Sequence, residues 1–252
     1  SCELVLLPIS SETPTLRPLD CPVTSPGGIF DINMRTLDSD WSHSFLLDHG
    51  WSVLVEPVAW QFGEVRTKEG LYIQNDGVVL AVMERLDPPL QIGDFDRMSD
   101  VFNSTQMVRS VSRTSRFLNT LGFQGFIHHR GPLPGEGPRV LQLEHLSPGT
   151  ATINLAIMHP RSKMDGSIEL IDVPVDPPSK VDLSDGCARG LRALCVPSNN
   201  IAAQYKLIES SEWRDLICQP LAQRPLPGVL DSISFSILTP DDARLDIYQR
   251  DS

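Results

Sequence analysis

Four histidines come closest to forming a chemical site in this sequence. His128 and His129 are adjacent in a predicted strand, and the pair Glu144-His145 and the single His159 follow on later segments. Imidazole groups are common ligands of transition metals, so a metal site is one interpretation. Neighbouring residues of a strand point to opposite faces, so His128 and His129 do not readily bind one ion together. Ordinary histidines of a sheet are the favoured interpretation, and we expect no metal and no cofactor.

A group of acidic residues raises the question of a calcium site. Asp38, Asp40 and Asp48 lie close to His43 and His49. The ligand spacing of an EF-hand loop is absent. A solvated acidic loop is therefore the favoured interpretation.

The four tryptophans are Trp41, Trp51, Trp60 and Trp213, and the first three lie within a short stretch of the chain. Such a group could stack against the rings of a sugar. Aromatic residues at strand positions more often belong to a core or to a subunit interface. Both interpretations stay open here, with the second favoured.

Arg109, Arg113 and Arg116 follow one another at helical spacing. A solvated helix face explains this pattern, and an interface or an RNA-facing surface is the alternative. The chain contains no G-x-S-x-G, H-E-x-x-H, P-loop or G-x-G-x-x-G motif. We therefore expect no enzyme and assign no catalytic residue.

Composition limits the classes of partner. The 252 residues carry a net charge of −11, so the chain should not bind a nucleic-acid backbone or an anionic membrane unaided. No apolar stretch is long enough for a transmembrane helix. The five cysteines are widely spaced and odd in number, which predicts reduced and mostly buried thiols: Cys2, Cys21, Cys187, Cys195 and Cys218.

The apolar segments are short, and clusters of Pro, Gly, Asp and Ser separate them. With 21 Pro and 17 Gly, few segments can continue as helices, so the pattern predicts an all-β protein. Asn75-Asp76-Gly77 predicts a hairpin between two of the strands, and Pro57 predicts an edge strand or a bulge. The predicted strands are residues 28–37, 51–60, 71–74, 77–86, 122–130, 139–146, 150–159, 167–175, 188–197, 202–209, 231–239 and 243–249.

Two segments depart from this pattern. Residues 94–118 lack Pro and Gly, and Met98, Val101, Phe102 and Thr105 share one face of a helix, which predicts one or two short helices. Residues 1–27 contain five prolines, which predicts an extended N-terminal arm. The remaining residues, 28–252, are predicted to form a single domain without an internal repeat.

The order of these elements resembles that of capsid proteins from picorna-like RNA viruses. A helical segment (98–116) precedes an aromatic strand (122–129), then a strand that ends in proline (150–160), and a strand, an acidic turn and a strand (232–249) close the chain. Phe30-Asp31-Ile32 and residues 38–41 and 59–63 are similar to stretches in the small coat proteins of comovirus-type plant viruses, the secovirids. The resemblance implies an antiparallel eight-stranded jelly-roll β-sandwich with short helical insertions.

The same resemblance implies a structural function. The chain would be a viral capsid protein, released from a polyprotein, that assembles with copies of itself and sister capsid subunits into an icosahedral shell. The shell would enclose an RNA genome, an indirect partner, without any membrane. The protein would be located in the virion, after assembly in the host cytoplasm. The alternative is a carbohydrate-binding or cupin-like β-sandwich, based on the tryptophans and histidines above.

Overall fold

One order of elements, a strand, a helix and three strands, occurs three times in the part of the chain that the structure describes. A computed structural model describes residues 4–17, 20–90, 95–146, 151–161, 165–173, 188–229 and 231–250. Within these residues we name the three βαβββ arrangements the first unit (31–87), the second unit (103–172) and the third unit (194–250).

The first unit begins with a strand whose partner is the last strand of the same unit. Its elements are β1 (Asp31–Thr36), α1 (Ser39–Asp48), β2 (Ser52–Phe62), β3 (Val65–Ile73) and β4 (Val79–Asp87). The Asp38 side chain begins α1, because it accepts hydrogen bonds from the backbone N–H groups of Asp40 and Trp41. β2, β3 and β4 pair antiparallel, while β1 pairs in parallel with β4.

The second unit repeats this arrangement and adds a short helix. Its elements are β5 (Asn103–Met107), α2 (Val111–Thr120), β6 (Phe123–Pro132), α3 (Gly137–Val140), β7 (Thr152–Pro160) and β8 (Ser167–Asp172). Ser110 caps α2 through a hydrogen bond from the Arg113 backbone N–H to its hydroxyl. β5 pairs in parallel with β8, as β1 does with β4.

The third unit has the same topology in a separate sheet. Its elements are β9 (Leu194–Pro197), α4 (Ile201–Glu209), a 3₁₀ turn (Arg214–Leu216), β10 (Ile217–Gln223), β11 (Ser232–Leu238) and β12 (Arg244–Arg250). β9 pairs in parallel with β12, and the strand order is β10-β11-β12-β9.

The first and second units join into one curled, mixed sheet. The strand order is β2-β3-β4-β1-β5-β8-β7-β6, and β1 pairs antiparallel with β5 at its centre. We name this central pairing the seam. Ile32 lies opposite Ser104 there, with Asp31 opposite Thr105 and Asn33 opposite Asn103.

The two faces of this sheet have different neighbours. The outer face packs against α1, through Leu46, and against α2, through Phe117 and Leu118. The inner face, which points away from both helices, carries the apolar residues Leu71, Ile73, Val79, Ala81, Ile153, Leu155 and Ile171. Val23, Phe30 and residues 133–143 cover these residues.

The third unit packs against the outer face of the second. Phe117 of α2 meets the Trp213 ring edge-on, with the ring centroids 5.5 Å apart. Phe235, Ile237, Leu245 and Ile247 of the third sheet are fully buried in the same cluster. The eight-stranded sheet and the third sheet therefore share one core, and the inner face of the eight-stranded sheet lies on the side away from it.

This architecture contradicts the predicted antiparallel jelly-roll sandwich. Each unit contains a parallel strand pair, which a jelly roll lacks, and the internal repeat that sequence reasoning missed organises the described chain. The hairpin at Asn75–Gly77 is confirmed, and β2 has a register irregularity around Pro57, as predicted. The division into an arm (1–27) and a single domain (28–252) stays a prediction.

Several elements also differ from prediction. Residues 103–107 form β5 inside the predicted helical segment, and the helix occupies only Val111–Thr120. The predicted strand 202–209 is helix α4, and 139–146 contains the end of α3 and turns. In the described part of the chain, no helix is both long and apolar enough to cross a membrane.

Candidate functional site

Three carboxyl groups project from the inner face close to the seam. Asp31 on β1 and Glu69 on β3 are buried, with exposed fractions of 3% and 8%, and Glu169 on β8 is half-buried. Buried carboxyls are uncommon unless partners satisfy them. This carboxyl cluster is the candidate site.

Thr105 connects two of the three carboxyls across the seam. Its hydroxyl lies 3.2 Å from Glu169 Oε2 and is also a hydrogen-bond partner of the Asp31 carboxyl. Asn33 Nδ2 donates to Asp31 Oδ1 at 3.0 Å and to Thr105 Oγ1 at 3.0 Å. The Thr105 hydroxyl has one hydrogen, so it can donate to only one of the two carboxyl groups at a time. When the second carboxyl group is protonated, that group can donate its own hydrogen to the Thr105 oxygen.

Glu69 has a separate partner on the neighbouring strand. Trp60 donates its indole N–H to Glu69 Oε2 at 3.0 Å. The ring of Trp60 also packs beside α3, because a Cβ placed on Gly137 would lie 3.3 Å from Trp60 Cε3. Helix α3, part of the segment that covers the inner face, therefore lies beside Trp60, the residue that donates a hydrogen bond to Glu69.

Burial and mutual repulsion set the electrostatics of the cluster. Burial, reinforced by the charges of Glu169 and Asp31, raises the pKa of Glu69 to about 8. Burial and the nearby Asp31 raise the pKa of Glu169 to about 7, although the Thr105 hydrogen bond opposes this shift. Burial raises the pKa of Asp31 to about 6, against the hydrogen bonds from Thr105 and Asn33. Burial and mutual repulsion therefore raise the pKa values of all three carboxyls toward neutral pH.

The donor set does not suit a metal ion. Among the residues with a described position, no group of three His, Cys, Asp or Glu side chains is arranged to hold one. The three carboxyls are instead bonded to a hydroxyl, an amide and an indole.

The histidines predicted as a possible metal site are dispersed. His128 and His129 are neighbours on β6, and His159 on β7 stacks on Phe126 with centroids 4.2 Å apart. His145 lies beyond α3 in an exposed turn. The structure gives no better support to the cupin-like alternative.

The predicted acidic loop is helix α1 and its cap. Asp38 is the N-cap, and Asp40 forms an ion pair with Lys68 at 2.6 Å. His43 lies 3.2 Å from the Tyr72 hydroxyl. These side chains therefore fix the helix to the sheet.

The three tryptophans lie in different environments. Trp41 stacks on Phe45 within α1, Trp51 packs against the outer-face core, and Trp60 belongs to the inner face. They do not form one shared stacking surface.

The three arginines predicted as an interface or RNA-facing site all lie on or next to α2. Arg109 Nε donates to the buried Asp241 at 2.8 Å, and Arg116 pairs with Glu212 and lies over the Trp213 ring. Arg113 is exposed on the helix. Arg109 and Arg116 thus contact the third unit, and an interface function for the three stays a prediction.

Sequence reasoning missed the carboxyl cluster itself. In the sequence, Asp31 lies in the stretch Phe30-Asp31-Ile32 that is similar to viral coat proteins, and Glu169 lies in the predicted strand 167–175, so neither was singled out as a site residue. The available signal was a single carboxyl within an apolar strand, as in Ile168-Glu169-Leu170. Such a residue must be paired, neutral or functional when the strand is buried.

Comparisons with known proteins are informative for structure only. No family model matches the sequence, and no curated protein matches it. Glyoxalase I from Zea mays superposes with a TM-score of 0.57 at 14% identity, covering 89% of this chain and 68% of that chain. A mutant of the same enzyme gives a TM-score of 0.60 at 14% identity, with the same coverage. A putative dioxygenase from Bacillus subtilis gives 0.51 at 9% identity, covering 90% of this chain and 64% of that chain.

These findings overturn the capsid interpretation. The structural neighbours are glyoxalase I proteins and a putative dioxygenase, not viral shell proteins. The polyprotein origin, the icosahedral assembly with sister capsid subunits around RNA, and the virion location are therefore wrong. The expectation that the protein is not an enzyme is wrong as well, because enzymes share its fold. The chain has the fold of glyoxalase I from Zea mays and of the putative dioxygenase from Bacillus subtilis.

Proposed function

We propose that this protein is an enzyme that transfers a proton at a carbon atom next to a carbonyl group. The observation that carries the proposal is the set Asp31, Thr105 and Glu169, joined by hydrogen bonds at the seam. A carboxylate base beside a carboxyl that stays protonated is a suitable arrangement for this chemistry.

Each carboxyl has a role that follows from its surroundings. Asp31 has the lowest pKa of the three, about 6, so it is the carboxylate that accepts the proton near neutral pH. Glu69, with a pKa of about 8, stays protonated and donates a hydrogen bond to the substrate oxygen as negative charge develops there. Glu169 shares Thr105 with Asp31, so a proton can pass between them through the hydroxyl.

The cover over the inner face excludes water from this reaction. Leu133, Val140, Leu141 and Leu143 are buried against the sheet, and Gln142 donates to the Leu54 carbonyl oxygen at 3.1 Å. Exclusion of water then strengthens every electrostatic interaction in the site.

The experiment measures the exchange of carbon-bound hydrogen for deuterium in D₂O by proton NMR. The probes are pyruvate, hydroxyacetone and 2-oxobutyrate, each with enzyme and with buffer alone. Asp31→Asn and Glu169→Gln should each slow the exchange by about 100-fold or more. Asp172→Asn is the matched control, because Asp172 lies on the same strand as Glu169 and faces the other side. Equal exchange in the Asp31→Asn and wild-type proteins contradicts the proposal.

A further inference from the structure

The third sheet carries a row of polar side chains on the face opposite the shared core. Gln219 of β10 lies opposite Ser236 of β11, and Ser236 lies opposite Asp246 of β12. The residues before and after Ser236 on its strand, Phe235 and Ile237, belong to the shared core, so the row points the other way. Side chains directly opposite one another on paired strands are in contact. Gln219, Ser236 and Asp246 are therefore neighbours on one face.

Two arginines converge on a single oxygen atom of this row. Arg224 Nη1 donates a hydrogen bond to Gln219 Oε1 at 2.8 Å, and Arg244 Nη2 donates to the same oxygen at 3.2 Å. The Ser236 hydroxyl lies 3.1 Å from this oxygen. Three donor groups thus surround one uncharged amide oxygen. We name Gln219, Ser236, Arg224 and Arg244 the arginine cluster.

The charges at the arginine cluster do not balance. Arg244 Nε forms an ion pair with the buried Asp246 at 2.8 Å. Arg224 donates instead to uncharged oxygens, those of the Gln219 side chain and the Pro220 backbone. Among the residues with a described position, no carboxylate lies within ion-pair distance of Arg224. One positive charge therefore remains without a counter-charge, in a chain whose net charge is −11.

This excess charge makes the arrangement costly unless an anion is present. Both guanidinium nitrogens lie within 3.2 Å of one oxygen, so the two positive groups are close together. Like charges at such a separation repel, and a neutral amide offsets the repulsion less than an anion does. Hydrogen bonds between a charged donor and a charged acceptor are also stronger than those to a neutral oxygen. The arginine cluster is therefore better matched to an anionic oxygen than to the amide oxygen of Gln219.

We propose that the arginine cluster binds the carboxylate group of a small organic acid. A carboxylate and the Gln219 amide are both planar groups with two polar atoms on one carbon, so the amide occupies the position of a bound carboxylate. When the acid binds, Gln219 moves aside and one carboxylate oxygen lies between the guanidinium groups of Arg224 and Arg244. The site belongs to the third sheet, so it does not depend on the function proposed for the carboxyl cluster.

The two guanidinium groups are oriented before a ligand arrives. Arg244 is held by Asp246 through Nε and by the Ser236 hydroxyl, which accepts from Nη2 at 3.1 Å. The backbone N–H of Arg224 donates to the Ser232 carbonyl oxygen at 3.0 Å, which fixes this residue beside β11. Both arginines are half-buried, so solvent and a small solute reach them. Donors that are already in place lower the entropic cost of binding.

Titration of the whole protein with succinate tests the site. The NMR signals of the Gln219 side-chain amide and the Arg224 guanidinium report on binding, at constant ionic strength. Succinate should shift both signals and saturate them. Succinamide, which has the same skeleton without the charges, should bind at least about tenfold more weakly, because it cannot form an ion pair. Unshifted signals, or equal affinities for succinate and succinamide, overturn the proposal. Inorganic phosphate is the third probe, and an affinity equal to that of succinate overturns the assignment to carboxylates.

Two charge-removing variants show whether Arg224 holds the ligand. Arg224→Gln should weaken succinate binding at least about tenfold. Arg214→Gln is the matched control, because it removes the same charge from an exposed position of the same unit, and it should leave the affinity unchanged. Circular dichroism checks that both variants fold. Equal affinities of the two variants overturn the proposal.

Two charge-adding variants test the position of the carboxylate. Gln219→Glu places a carboxylate of the chain itself between the two guanidinium groups, so it should abolish succinate binding and raise the thermal midpoint of unfolding. Gln223→Glu adds the same charge to an exposed position of the same strand and should retain binding. Succinate binding by Gln219→Glu with the wild-type affinity overturns the proposal.

Discussion

Thr105 lies directly opposite Glu169 in the parallel pairing of β5 with β8, and its hydroxyl is 3.2 Å from a carboxyl oxygen of Glu169. The same hydroxyl contacts Asp31 across the seam. One threonine thus joins carboxyls from two βαβββ units. The acid–base properties of the site therefore depend on the correct pairing of the two units.

Thr105→Val should raise the pKa of both Glu169 and Asp31. The substitution keeps the shape of the side chain and removes the hydrogen bonds that hold both values down. Carbon-13 NMR titration of the two carboxyl groups measures the change. Ser104→Ala is the control, because Ser104 lies one residue earlier on β5 and faces the other side of the sheet. Unchanged titrations in Thr105→Val would show that the hydroxyl does not bridge the carboxyls.

Stability should fall as the pH rises from about 4 to about 8. A carboxyl with a raised pKa in the folded state binds its proton more tightly there than in the unfolded chain. Its stabilising effect is complete below the unfolded pKa and is lost as the pH passes the folded values of about 6, 7 and 8. Urea denaturation across this range measures the loss, which should be on the order of several kcal/mol.

Glu69→Gln distinguishes the loss of stability caused by the raised pKa of Glu69 from a loss caused by charge repulsion across the acidic chain. The variant should show a smaller loss between pH 6 and pH 8 than the wild type, because the group that would ionise is gone. Glu144→Gln is the control, since Glu144 is exposed. Parallel stability curves for Glu69→Gln and the wild type would mean that Glu69 ionises normally.

Arg109→Ala should destabilise the contact between the second and third units. Asp241 is 3% exposed and accepts hydrogen bonds from Arg109 Nε at 2.8 Å and Thr114 Oγ1 at 3.3 Å. Removal of the guanidinium leaves a buried carboxylate without its cation, which should cost about 1–2 kcal/mol because Arg109 itself is half exposed. Arg113→Ala should change the free energy of unfolding by less than about 0.5 kcal/mol. Equal effects of the two substitutions would contradict this assignment.

Neighbouring residues of α4 should respond very differently to truncation. Ile208 is fully buried against the shared core, so Ile208→Ala should cost about 2–5 kcal/mol. Leu207 is 52% exposed, so Leu207→Ala should have a small effect. Thermal or urea denaturation compares them. Similar losses would be inconsistent with a helix that packs through one face.

Local patterns identified part of the fold from sequence. Asn75-Asp76-Gly77 encodes a tight turn through its own residues, and the closing strands β11 and β12 alternate in a way that needs no distant partner. The sequence pattern of residues 202–209 predicts a strand, although Ile201, Tyr205 and Ile208 have helical spacing and Asn200 caps the helix. The cap was the local evidence that the prediction overlooked.

The site depends on contacts that no local pattern contains. Thr105 and Glu169 are separated by 64 positions, and Glu69 acquires its shifted pKa from carboxyls on other strands. The repeat of three units was equally hidden, because it consists of strand order and parallel pairing rather than of similar residues. Jelly rolls and these units share short strands, so strand spacing alone could not separate them.

The pH dependence of deuterium exchange tests the central claim most directly. With the probe that exchanges fastest, the rate should follow a bell-shaped profile. It should rise through about pH 6 as Asp31 loses its proton and fall through about pH 8 as Glu69 does. The rising limb should disappear in Asp31→Asn. A wild-type rate that equals the Asp31→Asn rate at every pH would contradict catalysis by this site.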